Sequence, residues 1–405
     1  VALTDDDRRE RRLRQRRAAR RRRGVAFAAV LAAAAAGTGL WALTSGEDRP
    51  QARAAAEPDP APTPPSPQPT PTPTPTPLPA PRAPALDETV SIAAVGDIVM
   101  GSPPYGLPPD GGRSFFARVD HLIEGDVVLG NLEGTLATGG ASKCGAGRSP
   151  NCFAFRTPPS YARWLDGAGF TVMNLANNHA FDFGEAGQRQ TLAALNRRGL
   201  LHTGRPGEVT VQRVRGVRVA VLGFAAYRWA SPLTDIAGAR RLVRKATRQA
   251  DVVVVTMHAG AEGSDRTHVR PGAETYLGEP RGDSMAFSHA VIDAGADLVV
   301  GHGPHVMRGM EFRKGRLIAY SMGNFAGYEV FSLGGTLSTS GVLQVTLGAD
   351  GRFVSGRLRP TQIVEPGIPA PGGRAISLVS GLSRQDFGPA AARISASGTI
   401  RPPRA

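Results

Sequence analysis

VSIAAVGD (90–97), DVVLGN (126–131), FTVMNLANNH (170–179), VRVAVLGF (217–224), DVVVVTMH (251–258), ADLVVGHG (296–303) and RLIAYSMGNF (316–325) are seven apolar runs. They are nearly continuous rather than alternating, the pattern of strands covered on both faces. Helix-like segments lie between or beside them at roughly 113–123, 158–168, 184–197, 235–249 and 283–294. Segment 235–249 opens on Asp235, a good N-cap, and gathers basic residues toward its end, where the helix dipole favours them. Strand and helix alternate, so the body is predicted to be a layered α/β fold. GVLQVTLG (341–348) and GRFVSGRLRP (351–360), separated by Ala349-Asp350, predict a hairpin at a sheet edge. Residues 381–405 read as a weakly ordered tail.

Ahead of this body the composition changes. Residues 57–84 hold fourteen prolines in twenty-eight positions, including PTPTPTP at 71–77. Proline fixes φ and removes a backbone donor, so the stretch predicts an extended spacer reaching on the order of 85 Å at ~3.1 Å per residue. Gly24 to Leu43 is twenty residues without a charge, about enough to cross a ~30 Å hydrocarbon core as a helix. Trp41 falls at its far end, where an indole suits the interface. Residues 1–24 carry eleven arginines against four acids, +7 of the chain's +14. An arginine-rich flank before the apolar run predicts the N-terminus in the cytoplasm and the body outside. A cleaved secretory signal is the alternative reading, and it exports the body equally.

The predicted organisation is a basic cytoplasmic tail (1–23), a transmembrane helix (24–43), a Pro/Thr-rich extracellular linker (44–86), a catalytic body (87–380) and the tail (381–405). The expected placement is a single-pass protein of the cell membrane with its body extracellular. The other +7 is spread over 381 residues, too weak a field for a nucleic-acid-binding body. The two cysteines, Cys144 and Cys152, predict a disulfide closing a small loop in an exported protein.

The chemistry sits at the strand ends. Asp97 follows one apolar run, Asn131 and Glu133 another, and Asn177, Asn178 and His179 a third. His258 and His302 end two more, with His305 just beyond. Parallel α/β sheets gather such ends on one edge, where ligands bind. Carboxylate, amide and imidazole without thiolate form a ligand set for Mn, Fe, Zn, Ni or Co. Two divalent cations would leave the cluster positive and favour an anionic substrate and an acidified water. Asn131 is read as holding the turn that presents Glu133. His121, His202, His268 and His289 are read as lying outside the site.

The stretches VGDIVMG (95–101), VVLGNLEGTL (127–136), 155–195 from FRTPPSYARWL to QTLAAL, VVVTMHAGAE (253–262), VIDAGADLVVGHGPHV (291–306) and GRLIAYSMGNF (315–325) resemble the capsule-synthesis CapA family. That family is also called the poly-gamma-glutamate biosynthesis family. More distantly the chain is similar to calcineurin-like metallophosphoesterases. The resemblance implies a layered αββα metallophosphoesterase-like sandwich with two divalent ions, Mn, Fe or Zn, at the strand ends. By position it implies Asp97 on the first ion, Glu133 bridging, Asn178, His258 and His302 on the second, and His305 returning to the first. His179 would be the general acid, with Asp182 orienting its ring.

The sequence departs from these patterns at several positions. Two residues rather than one separate His302 from His305, and Ala259 stands where many CapA relatives have an aromatic residue. Val99 stands where metallophosphoesterases commonly place a histidine, which brings Glu262 into view as a substitute ligand. The bridging position holds Glu rather than Asp. Gly303 stands where many CapA relatives have His. The implied activity is metal-dependent hydrolysis, phosphoesterase-like, in capsule or poly-gamma-glutamate biosynthesis. The alternative is a non-catalytic metal-binding protein for polymer export, anchoring or synthase assembly. Expected partners are an anionic extracellular polymer or phosphoester substrate, the membrane and a polymer synthase complex. Arg113, Arg156 and Arg228 are candidate anion contacts.

Overall fold

A computed structural model describes residues 88–103, 105–145 and 152–404. The expected basic tail, transmembrane span and linker (1–23, 24–43, 44–86) lie outside the described residues. Among those described, no helix is long and apolar enough to cross a membrane.

The first half of the body runs β1 (Thr89–Val99), β2 (Val127–Leu132), α1 (Ala162–Gly167), β3 (Val172–Asn174), α2 (Gly184–Asn196) and β4 (Leu201–Thr203). There follow β5 (Thr210–Val214), β6 (Val217–Ala225), α3 (Ile236–Thr247), β7 (Val252–His258), α4 (Ser284–Asp293) and β8 (Leu298–His302). Then come β9 (Met310–Arg313), β10 (Arg316–Ala319), β11 (Asn324–Gly327), β12 (Thr339–Gly348), β13 (Phe353–Val364) and β14 (Ile368–Pro371). The chain closes with α5 (Ala375–Phe387), β15 (Arg393–Ile394) and β16 (Thr399–Arg401).

The strands form a mixed α/β sandwich of two large sheets. One has the order β15-β16-β13-β12-β1-β2-β3-β4, with β11 also on β1 and β14 also on β13. The other has the order β9-β10-β8-β7-β6-β5, with Ser231–Pro232 added to β6. In the first sheet β1 to β4 run parallel; in the second β6, β7, β8 and β10 do. Alternate residues of one strand serve different cores, which explains the continuous apolar runs. Val90, Ile92 and Ala94 of β1 meet Val219, Val221 and Val254 of the second sheet in one buried cluster. Ala93 and Val95, one residue out of phase, pack with Leu165 of α1 and Leu195 of α2. On the second sheet Leu222, Val253 and Val255 pack with Val243 of α3 and Phe287 of α4.

Two helix starts follow the local chemistry. Asp235 caps α3 by accepting from Gly238 N, and Asp283 caps α4 by accepting from Ala286 N. The expected helix at 113–123 is instead a run of turns, in which Phe115, Ala117, Val119 and Leu122 each donate three residues back. The 341–360 hairpin forms as β12–β13, but away from the sheet edge: β12 lies between β1 and β13, and β13 also carries β14 and β16.

The tail 381–405 is corrected too, since residues to 404 are placed. Within it, α5 continues to Phe387, Ala392 N donates to Met310 O of β9, and Leu358 N of β13 donates to Gly398 O. Ile400 is buried in the cluster between the sheets. Short segments of two or three residues that bond to both sheets replace the expected loose end.

Candidate functional site

Strand register aligns the polar ends. In the first sheet Asp97 of β1 stands opposite Asn131 of β2, and Asn131 opposite Asn174 of β3. In the second, His258 of β7 stands opposite His302 of β8. The approach of β1 to the Met322–Gly323 turn is tight. A Cβ on Gly96 would lie 1.9 Å from Gly323 O, whose carbonyl accepts from Asp97 N at 2.9 Å. Glycine at 96 is therefore what lets Asp97 reach the edge.

The two carboxylates, Asp97 and Glu133, are fully buried. Asn131 donates through Nδ2 to Asp97 Oδ1 (2.7 Å) and accepts on Oδ1 from Asn174 (2.8 Å) and Asn177 (3.0 Å). These bonds join neighbouring strand ends, and Asn131 Nδ2 also meets His258 Nδ1 at 3.3 Å; the turn before Glu133 is held instead by Asn177, whose Nδ2 donates to Leu132 O at 2.9 Å. His305 adopts φ +61°, a left-handed conformation uncommon outside glycine, and Nδ1 donates to Asp97 Oδ2 at 3.0 Å. The same nitrogen lies 3.7 Å from Glu133 Oε2, and Nε2 lies 3.5 Å from Glu262 Oε2. His258 Nε2 is 3.6 Å from Glu133 Oε1, and His302 Nδ1 is 3.6 Å from Asp97 Oδ1. Asp97, Glu133 and His305 each offer a ligand atom within 4.8 Å of the others, one candidate metal-coordinating site.

The donor set passes a direct test of fit. Both oxygens of Glu133, Nε2 of His258, both ring nitrogens of His302 and Oδ1 of Asn178 are buried with no hydrogen-bond partner among the described residues. Buried polar atoms are ordinarily paired, and each orphan costs about 1–3 kcal/mol. Carboxylate oxygen, imidazole nitrogen and amide oxygen are the atoms a divalent cation takes.

The electrostatics agree. Burial, with Asp97 alongside, pushes the Glu133 carboxyl well above its usual range. Burial alone would raise Asp97, but the hydrogen bond and charge of His305 outweigh it and hold it low. Burial drives His258 well below the imidazole range and His302 down to about 4. Burial would lower His305 as well, yet Glu133 and Glu262 hold it well above the usual value. For Glu262 burial is outweighed by His305, leaving it at about 2. Such a pocket keeps two of its rings neutral and so ready to donate lone pairs.

Beside this cluster His179 Nδ1 donates to Asp182 Oδ2 at 2.8 Å, since a carboxylate can only accept. Asp182 also accepts from Phe155 N (2.6 Å) and pairs with Lys143 Nζ (2.6 Å), while Lys143 donates to Asn178 O (3.1 Å). Burial lowers the His179 pKa, with Asp182 opposing. The Cys144–Cys152 disulfide forms as expected and anchors the loop that carries Lys143.

The remaining candidates fall elsewhere. His121 is exposed, and His202, His268 and His289 pair with Glu208, Asp386 and Glu311. Arg113 is exposed. Arg156 donates to Thr138 O and lies over the Phe183 ring, the loop-holding role of an arginine. Arg228 is exposed over Phe181. Gly303 has φ +116°, and a Cβ there would lie 2.9 Å from Ala259 N, so this backbone admits no histidine at 303.

Two residues escaped sequence reasoning. Lys143 had only its place beside Cys144 as a signal. Arg281, buried with Nη2 2.8 Å from Glu262 Oε1, sits in the Glu279–Gly282 hairpin strand and had none.

The family profile described as "Bacterial capsule synthesis protein PGA_cap" matches residues 91–329. The PGA biosynthesis protein CapA of Bacillus subtilis (strain 168) is 30% identical over 315 residues, 70% of this chain and 74% of that protein. The capsule biosynthesis protein CapA of Bacillus anthracis is 31% identical over 280 residues, 64% of this chain and 63% of its own. Among solved structures, a hypothetical protein from Thermus thermophilus superposes with TM-score 0.41 at 17% identity, over 67% of this chain and 99% of that one. Haemophilus influenzae NAD nucleotidase gives 0.38 at 13%, over 71% and 54%. Overlaps that loose say nothing further about this chain.

Proposed function

The chain belongs to the PGA_cap family of bacterial capsule synthesis proteins, and from that premise we propose that it is a metal-dependent hydrolase, phosphoesterase-like, acting in the synthesis of an anionic capsular polymer such as poly-gamma-glutamate. One observation carries the reading: the unpartnered buried atoms of Glu133, His258 and His302 gather about the Asp97, Glu133 and His305 cluster. In this reading Asp97, Glu133, Asn178, His258, His302 and His305 would hold two divalent ions, Mn, Fe or Zn. Such ions polarise a phosphoryl oxygen and lower the pKa of a water. The αββα order of layers belongs to the same reading and is supported by the three buried clusters.

The protein's own groups divide the remaining work. Asp182 fixes the His179 ring through Nδ1, leaving Nε2 as the atom that passes a proton to the leaving oxygen. Lys143 and Phe155 N hold Asp182 in place. Glu262 lies 3.5 Å from His305 Nε2 and is the substitute proposed for the histidine absent at Val99. The charge-free run 24–43 and its arginine flank support a single-pass anchor that places this body outside the cell, beside the polymer and its synthase.

The test is to load the full chain with Mn²⁺, count bound metal by mass spectrometry, and assay phosphomono- and diesters. We expect His179→Ala to keep its metal and lose about 10²–10⁴-fold in turnover. A chain that takes up no divalent ion, or whose turnover ignores His179, ends this assignment; metal uptake without turnover leaves a binding protein.

A further inference from the structure

Helix α3 is built in a way that folding does not explain. Its inner face, Ala239, Val243 and Ala246, is buried on the second sheet. Its outer face presents Arg240, Arg241, Arg244 and Lys245, continued by Arg248 at the C-cap, all exposed. Among the described residues the one carboxylate within 4.0 Å of any of them is Asp235, 3.6 Å from Arg241 and already engaged in capping Gly238 N. Arg240–Arg244, Arg241–Lys245 and Arg244–Arg248 are like-charge pairs four residues apart, each destabilising by about 0.2–0.5 kcal/mol. The helix dipole compensates the three cations at the C-terminal end but not Arg240 and Arg241 nearer the start.

The row is linear. Arg240, Arg244 and Arg248 recur every about 6 Å along the axis at 1.5 Å per residue. Beside it lies a cavity of about 300 Å³, lined by Arg241 and Lys245 together with Phe224, Pro232 and Leu242. From there a chain of contacts reaches the site. Ser231–Pro232 pairs with the end of β6, and the loop just before it stacks Trp229 between Tyr227 (5.0 Å) and Phe181 (5.3 Å). Trp229 Nε1 donates to Asn177 O, next to Asn178 and His179.

We propose that the outer face of α3 and the adjoining cavity bind a linear polycarboxylate strand and lead it toward the metal-candidate site. The inference rests on the preceding reading for the nature of the polymer. A lipid surface is the poorer fit, because an interfacial helix needs its apolar face free and that of α3 is buried in the core.

The sequence supplies its own reporter. The chain has three lysines, Lys143, Lys245 and Lys314, and the arginine-rich residues 1–24 contain none. Carbodiimide coupling of poly-glutamate to the full chain, mapped by mass spectrometry, therefore reads Lys245 separately from residues 1–24, whose arginine side chains do not couple. We expect coupling at Lys245 to exceed that at exposed Lys314. It should fall about ten-fold in Arg240→Gln/Arg244→Gln/Arg248→Gln, the loss of three exposed ion pairs, and fade with added salt. Arg118→Gln/Arg189→Gln/Arg197→Gln removes equal charge from other exposed positions and should leave it unchanged. The proposal fails if Lys245 does not couple, if both triple variants lose it equally, or if phosphatidylglycerol vesicles protect α3 while the polymer does not. His302→Ala separates the two readings: coupling that persists without bound metal upholds this surface alone, and metal-dependent turnover without coupling retires it alone.

Discussion

The two sheets bring their polar residues to one place in opposite condition. On the first, Asp97, Asn131 and Asn174 satisfy one another through short hydrogen bonds, with Asn131 as the hub. On the second, His302 arrives buried with both ring nitrogens unpartnered and His258 with Nε2 unpartnered, its Nδ1 alone meeting Asn131 Nδ2 at 3.3 Å. Apart from Glu133, whose two oxygens are unpartnered, the first side is a finished piece of structure. The other is an arrangement that an isolated fold has no reason to keep, because desolvated, unpaired nitrogens only cost stability. The difference teaches where stability ends and function begins within a single cluster.

The contrast is most severely tested by Asn131→Leu. It leaves Asp97, Asn174 and Asn177 each short of a buried partner, so urea denaturation should show a loss on the order of 3–6 kcal/mol. A loss under about 1 kcal/mol would mean the first sheet is not the structural half. His302→Leu should behave oppositely. In the chelator-treated protein we expect unchanged or slightly higher stability, up to about 1 kcal/mol, because an unsatisfied polar group is replaced by an apolar one. The same variant should retain less divalent metal by mass spectrometry, and clear destabilisation would show His302 to be an ordinary core group.

The smallest effect compares the opposite ends of the sheets, where Asp126 precedes β2 and Asp297 precedes β8. The hydrogen bond from Arg215 holds Asp126 down to about 2, so its contribution is present above the ordinary carboxylate pKa and lost as pH falls toward 2. Burial raises Asp297 to about 6, so stability is full below about 4 and declines as pH rises through 6. Urea midpoints across pH 3–7 should therefore show Asp297→Asn matching the wild type at pH 4 and exceeding it at pH 7. Asp126→Asn should fall short at pH 7 and converge at the acid end. Parallel curves for the two variants would remove the distinction.

Much of this was readable in advance, for reasons that differ by element. Val252–His258 is legible because a strand buried on both faces has no freedom to be polar. The ends of such strands expose their chemistry as abrupt changes of residue type, which is why Asp97, His258 and His302 stood out. Segment 113–123 misled because Phe115, Phe116 and Val119 are spaced as on a helix, yet successive three-residue turns bury the same side chains. Lys143 and Arg281 were invisible because their contacts depend on where a cysteine loop and a short hairpin settle, which periodicity does not encode. Residues 381–405 read as loose for a related reason: a pair such as Arg393–Ile394 is too short to show alternation.

Those final strands act as a strap. Ala392 is tied to the second sheet at Met310, while Gly398 and Ile400 are tied to the first at β13. A protease nick near residue 390 would thus unbuckle the two halves from each other without touching a single proposed ligand. Carboxylates and imidazoles would keep their own strands and lose their alignment, so a chain clipped there should fail at metal uptake while its secondary structure by circular dichroism stays nearly whole.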